Sequence, residues 1–511
     1  MSNIISKNTP FSQTHFFGWL SLFVLLIALF FRLIYLVHHL PWFDEALCIF
    51  QSEKIGPLLD GTILSNNPPF FYIVLSIWRI PSDSLFWMRC LPVVFGVLSV
   101  FVVLNLSRRF FDPLTAFWAG ILFALSPTHI YYSQEIKMYS LNVLLGLLAF
   151  QALMNLHDKK SIKNSVVFGI IQVLMAYTHY YLFVWSITLH FIFLYLNYRQ
   201  LSHVKKLIIS DTISLLLYLP WLKIYLDTHL HLTVSYVTTW IPIPGIKSLF
   251  YSYKNFIVGF HSTRHHYWIV VILSLGIWIV IARYVFPTHK RKIIILILAS
   301  LSPVLIVAMI SQFVPLYLDR YILYTLPFLL ILLATGLKVL HQKISWSIPL
   351  IFCVLPLITL PNLYASKIPF PHHIPGEHER PEFRAVLMEL KTHFQPGDKI
   401  FHISRRTNLS FEYAWPNKQK IQPFRTVFPY EKYPEPRYWP HSPLRPKPLC
   451  SFLEKGNRIW AVLYKWKPQP NDPEIKGTRE LLMTHGDFEM RLGEDDGFTL
   501  ECYRITQTCR D

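Results

Sequence analysis

Charge is what this chain lacks. Only 15% of its 511 residues are Asp, Glu, Lys or Arg, against 53% hydrophobic and 16% aromatic, and the mean hydropathy is +0.36. A soluble protein of this size needs more charged surface, so that class is excluded and a polytopic helical membrane protein is expected. Ten-residue stretches of alternating apolar and polar residues are missing too, which excludes an outer-membrane barrel. No small-residue cleavage site follows the first apolar run, so that run is expected to stay as an anchor. The six cysteines have no metal-ligand spacing. Cys48, Cys90 and Cys353 read as small core residues, whereas Cys450, Cys502 and Cys509 allow one disulfide of unreadable pairing.

Acids are scarcer than bases: 30 against 48, a formal charge of +18. A nucleic-acid partner does not follow, because the bases sit in short loops between apolar runs: Arg108-Arg109, His157 to Lys163, Arg199 to Lys206, His289 to Lys292 and Lys338 to Lys343. Spans are readable at 16–38, 89–108, 114–132, 139–156, 165–181, 182–198, 205–225, 266–286, 292–313, 320–340 and 346–363. The segment 67–80 is short for a crossing and reads as interfacial. With the N-terminus inside and that segment not crossing, every basic loop falls on the cytoplasmic side, as orientation by positive loops requires. The expectation is eleven spans over residues 1–363 and an extracytoplasmic α/β domain over 364–511, in a bacterial plasma membrane. Within that domain PEFRAVLMELKTHF has helical spacing, DKIFHIS and RIWAVLYKW read as strands, and FEMRLGEDDGFTLECYRI as a hairpin.

The polar residues expected on the outer side carry the chemistry. Asp44-Glu45 follows the first span directly; the bland reading is a solvated pair or an Asp helix cap before ALCIFQ, the functional one a catalytic carboxylate. Asn67-Pro68-Pro69 is either a helix start or a contact residue beside a fixed turn. Tyr132, Glu135, Lys137 and Tyr139 lie in an aromatic loop between two strong spans, where tyrosines also serve as a plain interfacial belt. Arg89 and Arg320 (the latter beside Tyr321) begin spans on the side where cations are disfavoured. Each therefore needs an anion, a carboxylate such as Asp44 or Asp319 or a lipid phosphate, unless it merely snorkels. His179, at an outer turn with Tyr180 and Tyr181, reads as structural.

These motifs in order, WFDEA, NPPFFYIVL, RCLPVVFGVLSV, SPTHIYYSQEIKMYSL and DRYILYTLP, resemble the bacterial relatives of the protein O-mannosyltransferases. Those are GT-C membrane glycosyltransferases of glycosyltransferase family 39, with the lipid A aminoarabinose transferase as a cousin. The resemblance covers residues 16 to about 340. It implies a polyprenyl-phosphate-linked sugar donor, an outer-face active site and a catalytic acid at Asp44. Asn67 stands where the family often has His, and Lys137 where it often has Arg, which keeps the charge and loses the bidentate fork.

The mechanism expected is inversion. Asp44 accepts the acceptor's hydroxyl proton while Arg89, Lys137 and Arg320 hold the leaving phosphate, and Glu45 or Glu135 binds the sugar or orients Asp44. Asn67, Tyr132, Tyr139 and Tyr321 are the substrate-contact candidates. This reading expects the separated stretches to meet in one outer cavity. The clustered carboxylates leave room for a divalent metal, although no ligand spacing is readable. Sugar and acceptor (glycan, lipid or protein) stay open. The alternatives are a transporter, which needs charged or broken helices at the midplane and repeated halves, and a non-catalytic scaffold with a partner-binding outer domain. The midspan stretches read as almost wholly apolar.

Overall fold

The structure, a computed structural model, describes residues 10–60, 67–159, 161–197, 201–229, 241–365, 367–368, 383–402, 410–411, 413, 425–426, 450, 453–464, 473–493 and 498–509. The chain forms two compact units, Met1–Leu36 with Asn66–Glu379, and Val37–Ser65 with Arg380–Asp511. The segment carrying Asp44 and Glu45 thus belongs with the C-terminal unit.

In chain order the helices begin with α1 (Pro10–Leu33), α2 (Phe43–Glu53), α3 (Ile55–Leu59), α4 (Phe70–Trp78), α5 (Leu85–Phe110), α6 (Pro113–Ala124) and α7 (Pro127–Ser133). Then come α8 (Tyr139–Asp158), α9 (Ile162–Ala176), α10 (Leu182–Asn197), α11 (Leu201–Ile224), α12 (Ile246–Val258), α13 (Arg264–Val280) and α14 (Phe286–Ile310). The series ends with α15 (Leu326–Lys343), α16 (Ser347–Val354), α17 (Leu360–Tyr364), α18 (Phe383–His393) and α19 (Pro473–His485).

The first unit is apolar and helical. Among the described residues, six helical runs are long and apolar enough to cross a membrane, and the pair α6–α7, bent by 59°, makes a seventh. The 47-residue run Arg264–Ile310 divides at His289, whose backbone is not helical, and three shorter apolar helices, Phe17–Leu33, Ile162–Ala176 and Leu182–Asn197, accompany these runs. Helix α4, nine residues or roughly 13 Å, is too short to cross.

Helix starts follow local chemistry. The Asp112 carboxylate accepts from Leu114 N and Thr115 N, each at 3.0 Å, ahead of Pro113 in the first turn of α6. Lys338 of α15 reaches the same carboxylate at 3.0 Å.

Two features depart from the sequence reading. The stretch 114–132 is not one straight span, because Ser126-Pro127 breaks it: the residue before a proline disfavours helix, and Pro127 then opens α7. The midspan is also less apolar than expected. Fully buried Arg32 of α1 donates through Nη1 to Ala28 O at 2.9 Å and Ala124 O at 3.0 Å, and lies 2.8 Å from His129 Nδ1. It thereby answers an otherwise orphaned carbonyl at the end of α6. Farther along, His190 Nε2 of α10 pairs with Asp211 of α11 at 3.0 Å, and Gln172 of α9 donates to the same carboxylate at 3.2 Å.

The second unit holds a five-stranded sheet of β1 (Lys399–His402), β2 (Arg425–Thr426), β3 (Arg458–Tyr464), β4 (Gly486–Leu492) and β5 (Phe498–Ile505), in the order β2-β1-β3-β5-β4. β1 runs parallel to β2 and β3, while β5 is antiparallel to β3 and β4. Alternate residues of β3 feed two cores: Trp460 and Val462 pack with Leu387 and Leu390 of α18, and Ile459, Ala461 and Leu463 with Leu482 of α19. Both faces are covered, which explains why RIWAVLY reads as an unbroken apolar run. Leu40 packs on the first core, and Arg384 donates to Val37 O at 2.7 Å, tying in the 37–65 segment. Cys450 and Cys509 form a disulfide and Cys502 is a buried core thiol. The hairpin turn Asp495-Asp496-Gly497 lies outside the described residues.

Candidate active site

The site of the first unit is built where α7 gives way to α8. Ser126 caps α7 by accepting from His129 N, and Ser133 Oγ donates back to His129 O at 2.6 Å, so the helix closes within two turns. Residues 134–138 then connect to α8. Gln134 Nε2 fastens this connection to α1, donating to Arg32 O at 3.0 Å and Ile34 O at 2.9 Å. Space here is tight: a Cβ on Gly96 of α5 would fall 2.4 Å from Ser133 Oγ, so only glycine lets the segment pass.

Glu135 and Lys137, bonded backbone to backbone (Lys137 N to Glu135 O, 2.7 Å), are both buried, as are Tyr132 and Tyr139. The rings of Tyr132 and Tyr139 stand 5.1 Å apart. A second stretch, a short 3₁₀ turn at Asp319–Tyr321, supplies Arg320. Its guanidinium lies 6.0 Å from the Tyr139 ring centre and 5.4 Å from that of Tyr321, within cation–π range. A third, the turn between α9 and α10, supplies His179 and Tyr181, whose rings stand 5.1 and 4.5 Å from Tyr321.

Lys137 and Arg320 both lie near enough to His179 for their charges to act on its ring. Burial, and after it the fields of Lys137 and Arg320, push His179 down to about 3. The imidazole is therefore neutral; Nδ1 accepts from Tyr181 N at 3.3 Å, which leaves Nε2–H as its donor. The arrangement is a buried cationic patch walled by tyrosine rings, suited to an anion carrying an apolar or hydroxylated body. Sequence reasoning took His179 as structural; its signal was the His-Tyr-Tyr run at a span junction.

Other elements carry the remaining candidates. Asn67 precedes α4, whose Phe70 N donates to Tyr177 O at 2.9 Å, anchoring that start beside the 177–181 turn. Arg89 of α5 donates through Nη1 to Leu36 O at 2.7 Å. Asp319, one candidate partner for the arginines, instead accepts from Ser252 Oγ and from Asn255 Nδ2. Asp44 and Glu45 lie in the second unit, in the first turn of α2, where acids complement the helix dipole. Trp42 is the capping residue, so Asp44 is not the cap that the bland reading supposed, and Glu45 is fully buried. Among the described residues no three His, Cys, Asp or Glu side chains gather as a metal site would need.

Residues 66–224 match the family described as dolichyl-phosphate-mannose-protein mannosyltransferase. A comparison of the sequence with curated proteins finds no match. Among solved structures, ArnT from Cupriavidus metallidurans in the apo state is similar with a TM-score of 0.62 at 12% identity, over 95% of this chain and 98% of that one. ArnT from the same organism bound to undecaprenyl phosphate gives 0.59 at 12% identity, over 97% and 98%. The structures supply the fold and residues 66–224 the likeness in family: the chain is a polytopic helical membrane protein similar to glycosyltransferases of the GT-C type.

Proposed function

We propose that this protein moves a sugar from a polyprenyl-phosphate donor to an acceptor at the outer face of a bacterial plasma membrane, with inversion at the transferred carbon. The observation that carries the reading is the burial of Lys137 and Arg320 in one aromatic-walled neighbourhood. A phosphate-linked sugar leaves as an anion, so its departure needs fixed positive charge more than a proton. The C1–O bond to phosphate breaks with its electrons going to the polyprenyl phosphate, and the acceptor oxygen forms the new bond at C1. Binding of undecaprenyl phosphate by ArnT of Cupriavidus metallidurans supports a polyprenyl phosphate as the ligand class.

Asp44 takes the acceptor's hydroxyl proton; this role is carried over from the WFDEA motif. Glu45 and Glu135 are the supporting carboxylates, and Asn67, Tyr132, Tyr139 and Tyr321 the substrate contacts. The N-terminus and basic loops lie in the cytoplasm and the C-terminal unit outside, following the positive-inside rule. The test is transfer of label from a radiolabelled polyprenyl-phosphate sugar in membranes expressing the protein. Asp44→Asn is expected to reduce transfer by about a thousandfold or more, the scale of losing an essential base, at unchanged expression. Wild-type transfer by that variant would remove Asp44 from the mechanism.

A further inference from the structure

Helix α12 lies outside the spans, yet it touches both stretches that carry the cationic patch. Ser252 and Asn255, three residues apart and so on one face, both donate to the half-buried carboxylate of Asp319, Asn255 Nδ2 at 2.6 Å. Tyr317 OH donates to Ser252 Oγ at 2.8 Å, so the two residues flanking Leu318 are both held by the same helix face. Asp319 immediately precedes Arg320.

At its other end α12 meets the start of α7. Thr128 Oγ1 donates to Asn255 O. Gly259, at φ +82°, ends the helix so close to α7 that a Cβ would fall 2.8 Å from Pro127 Cβ. Phe260 then sets its ring 4.9 Å from Tyr131. Lys254, itself buried, donates to Ser262 Oγ at 3.0 Å, and Ser262 Oγ to Gly259 O at 2.9 Å, closing the turn. One helix therefore fixes the root of the segment bearing Lys137 and the turn bearing Arg320.

We infer that α12 is a brace setting the spacing of Lys137 and Arg320, and that Asp319 is the positioning residue through which it holds Arg320. This rests on the proposed donor-phosphate role of those two cations. An ionised carboxylate accepts only, so Asp319 is matched to the two donors α12 presents. Burial pushes its pKa up, and the bonds from Ser252 and Asn255 with the field of Lys254 oppose that. Asp319→Asn leaves a single acceptor oxygen for two donors, so one of the two hydrogen bonds from α12 is lost. The exchange Asn255→Asp with Asp319→Asn restores it with donor and acceptor reversed.

The experiment measures binding of undecaprenyl phosphate to the purified full chain in detergent, with thermal unfolding alongside. Asp319→Asn is expected to weaken binding by about tenfold, the value of a hydrogen bond to a charged group. The exchanged pair is expected to recover most of that loss. Should Asp319→Asn fail to fold, Ser252→Ala removes one donor and is expected to weaken binding by about threefold. Wild-type affinity in the folded variant, or an exchanged pair that folds and binds no better than Asp319→Asn, would overturn the brace. So would a fall in unfolding temperature without any change in affinity. Arg320→Ala is the separate control: unchanged affinity there would overturn the donor-phosphate reading itself.

Discussion

Two arginines, Arg320 in the helical unit and Arg458 in the sheet unit, are each 6% exposed and are surrounded quite differently. Arg458 donates to Asp398 at 2.8 Å, to Glu489 at 2.6 Å and to His393 O at 2.9 Å, with Trp460 beneath it. Every one of those groups is part of the β-sheet unit's own framework. Arg320 stands among rings, and its charge is felt by His179, a group it does not ion-pair with. Burial of a cation is costly either way. In the sheet unit the cost is offset locally by carboxylates that hold the fold, whereas under the proposed function the charge beside Tyr139 and Tyr321 also meets the donor's phosphate.

Three substitutions or conditions would break or sharpen that contrast. The largest effect is expected for Arg458→Ala, which strands the buried Asp398 and should cost on the order of 3–5 kcal/mol, read as a lower unfolding temperature. An unchanged unfolding temperature would mean that this network is not structural. Next comes Arg320→Ala, expected to raise the donor's KM by about ten- to a hundredfold with a smaller change in kcat and little change in stability. If it unfolded the protein instead, the two arginines would be alike after all.

The smallest effect concerns pH. Burial pushes Glu501 up, but hydrogen bonds from Arg479 and Tyr503 with the fields of Arg479 and Arg491 carry it below the ordinary carboxylate value. A depressed folded pKa contributes stability that is fully present above about pH 4.3 and is lost as pH falls through the lower folded value. Between those two values the wild type loses about 1.4 kcal/mol for each pH step of about 1 through this one carboxyl. Glu501→Gln lacks that loss, so its acid unfolding curve should be flatter below about pH 4.3. An acid limb identical to that of the wild type would take Glu501 out of the account.

Much of this was legible in the sequence. Candidate spans follow from run length, because a hydrocarbon core of fixed thickness imposes it, and the segment 67–80, which holds α4, declared itself as too short to cross. The strands RIWAVLY and FTLECYRI were readable because strand chemistry is local. The break at Ser126-Pro127 was hidden inside an apolar run, since hydropathy does not register a backbone that the following proline forbids to stay helical. Likewise Lys137 was readable as a candidate in an aromatic loop and Arg320 as a cation expected where the positive-inside rule disfavours one. Their common neighbourhood with His179 was not, because it depends on three turns between different helix pairs. The Cys450–Cys509 pairing, 59 residues apart, is a tertiary fact of the same kind.

The guanidinium of Arg32 makes the first helix more than a tether. Because it answers the Ala124 carbonyl, while Gln134 reaches back to the end of the same helix, the shape of the 134–138 connection depends on a side chain about a hundred residues upstream. A generic hydrophobic anchor grafted in place of residues 10–33 would restore membrane thickness and targeting, yet leave the kink uncapped. Engineering of this enzyme for expression should therefore begin its fusions before α1 and leave that helix intact.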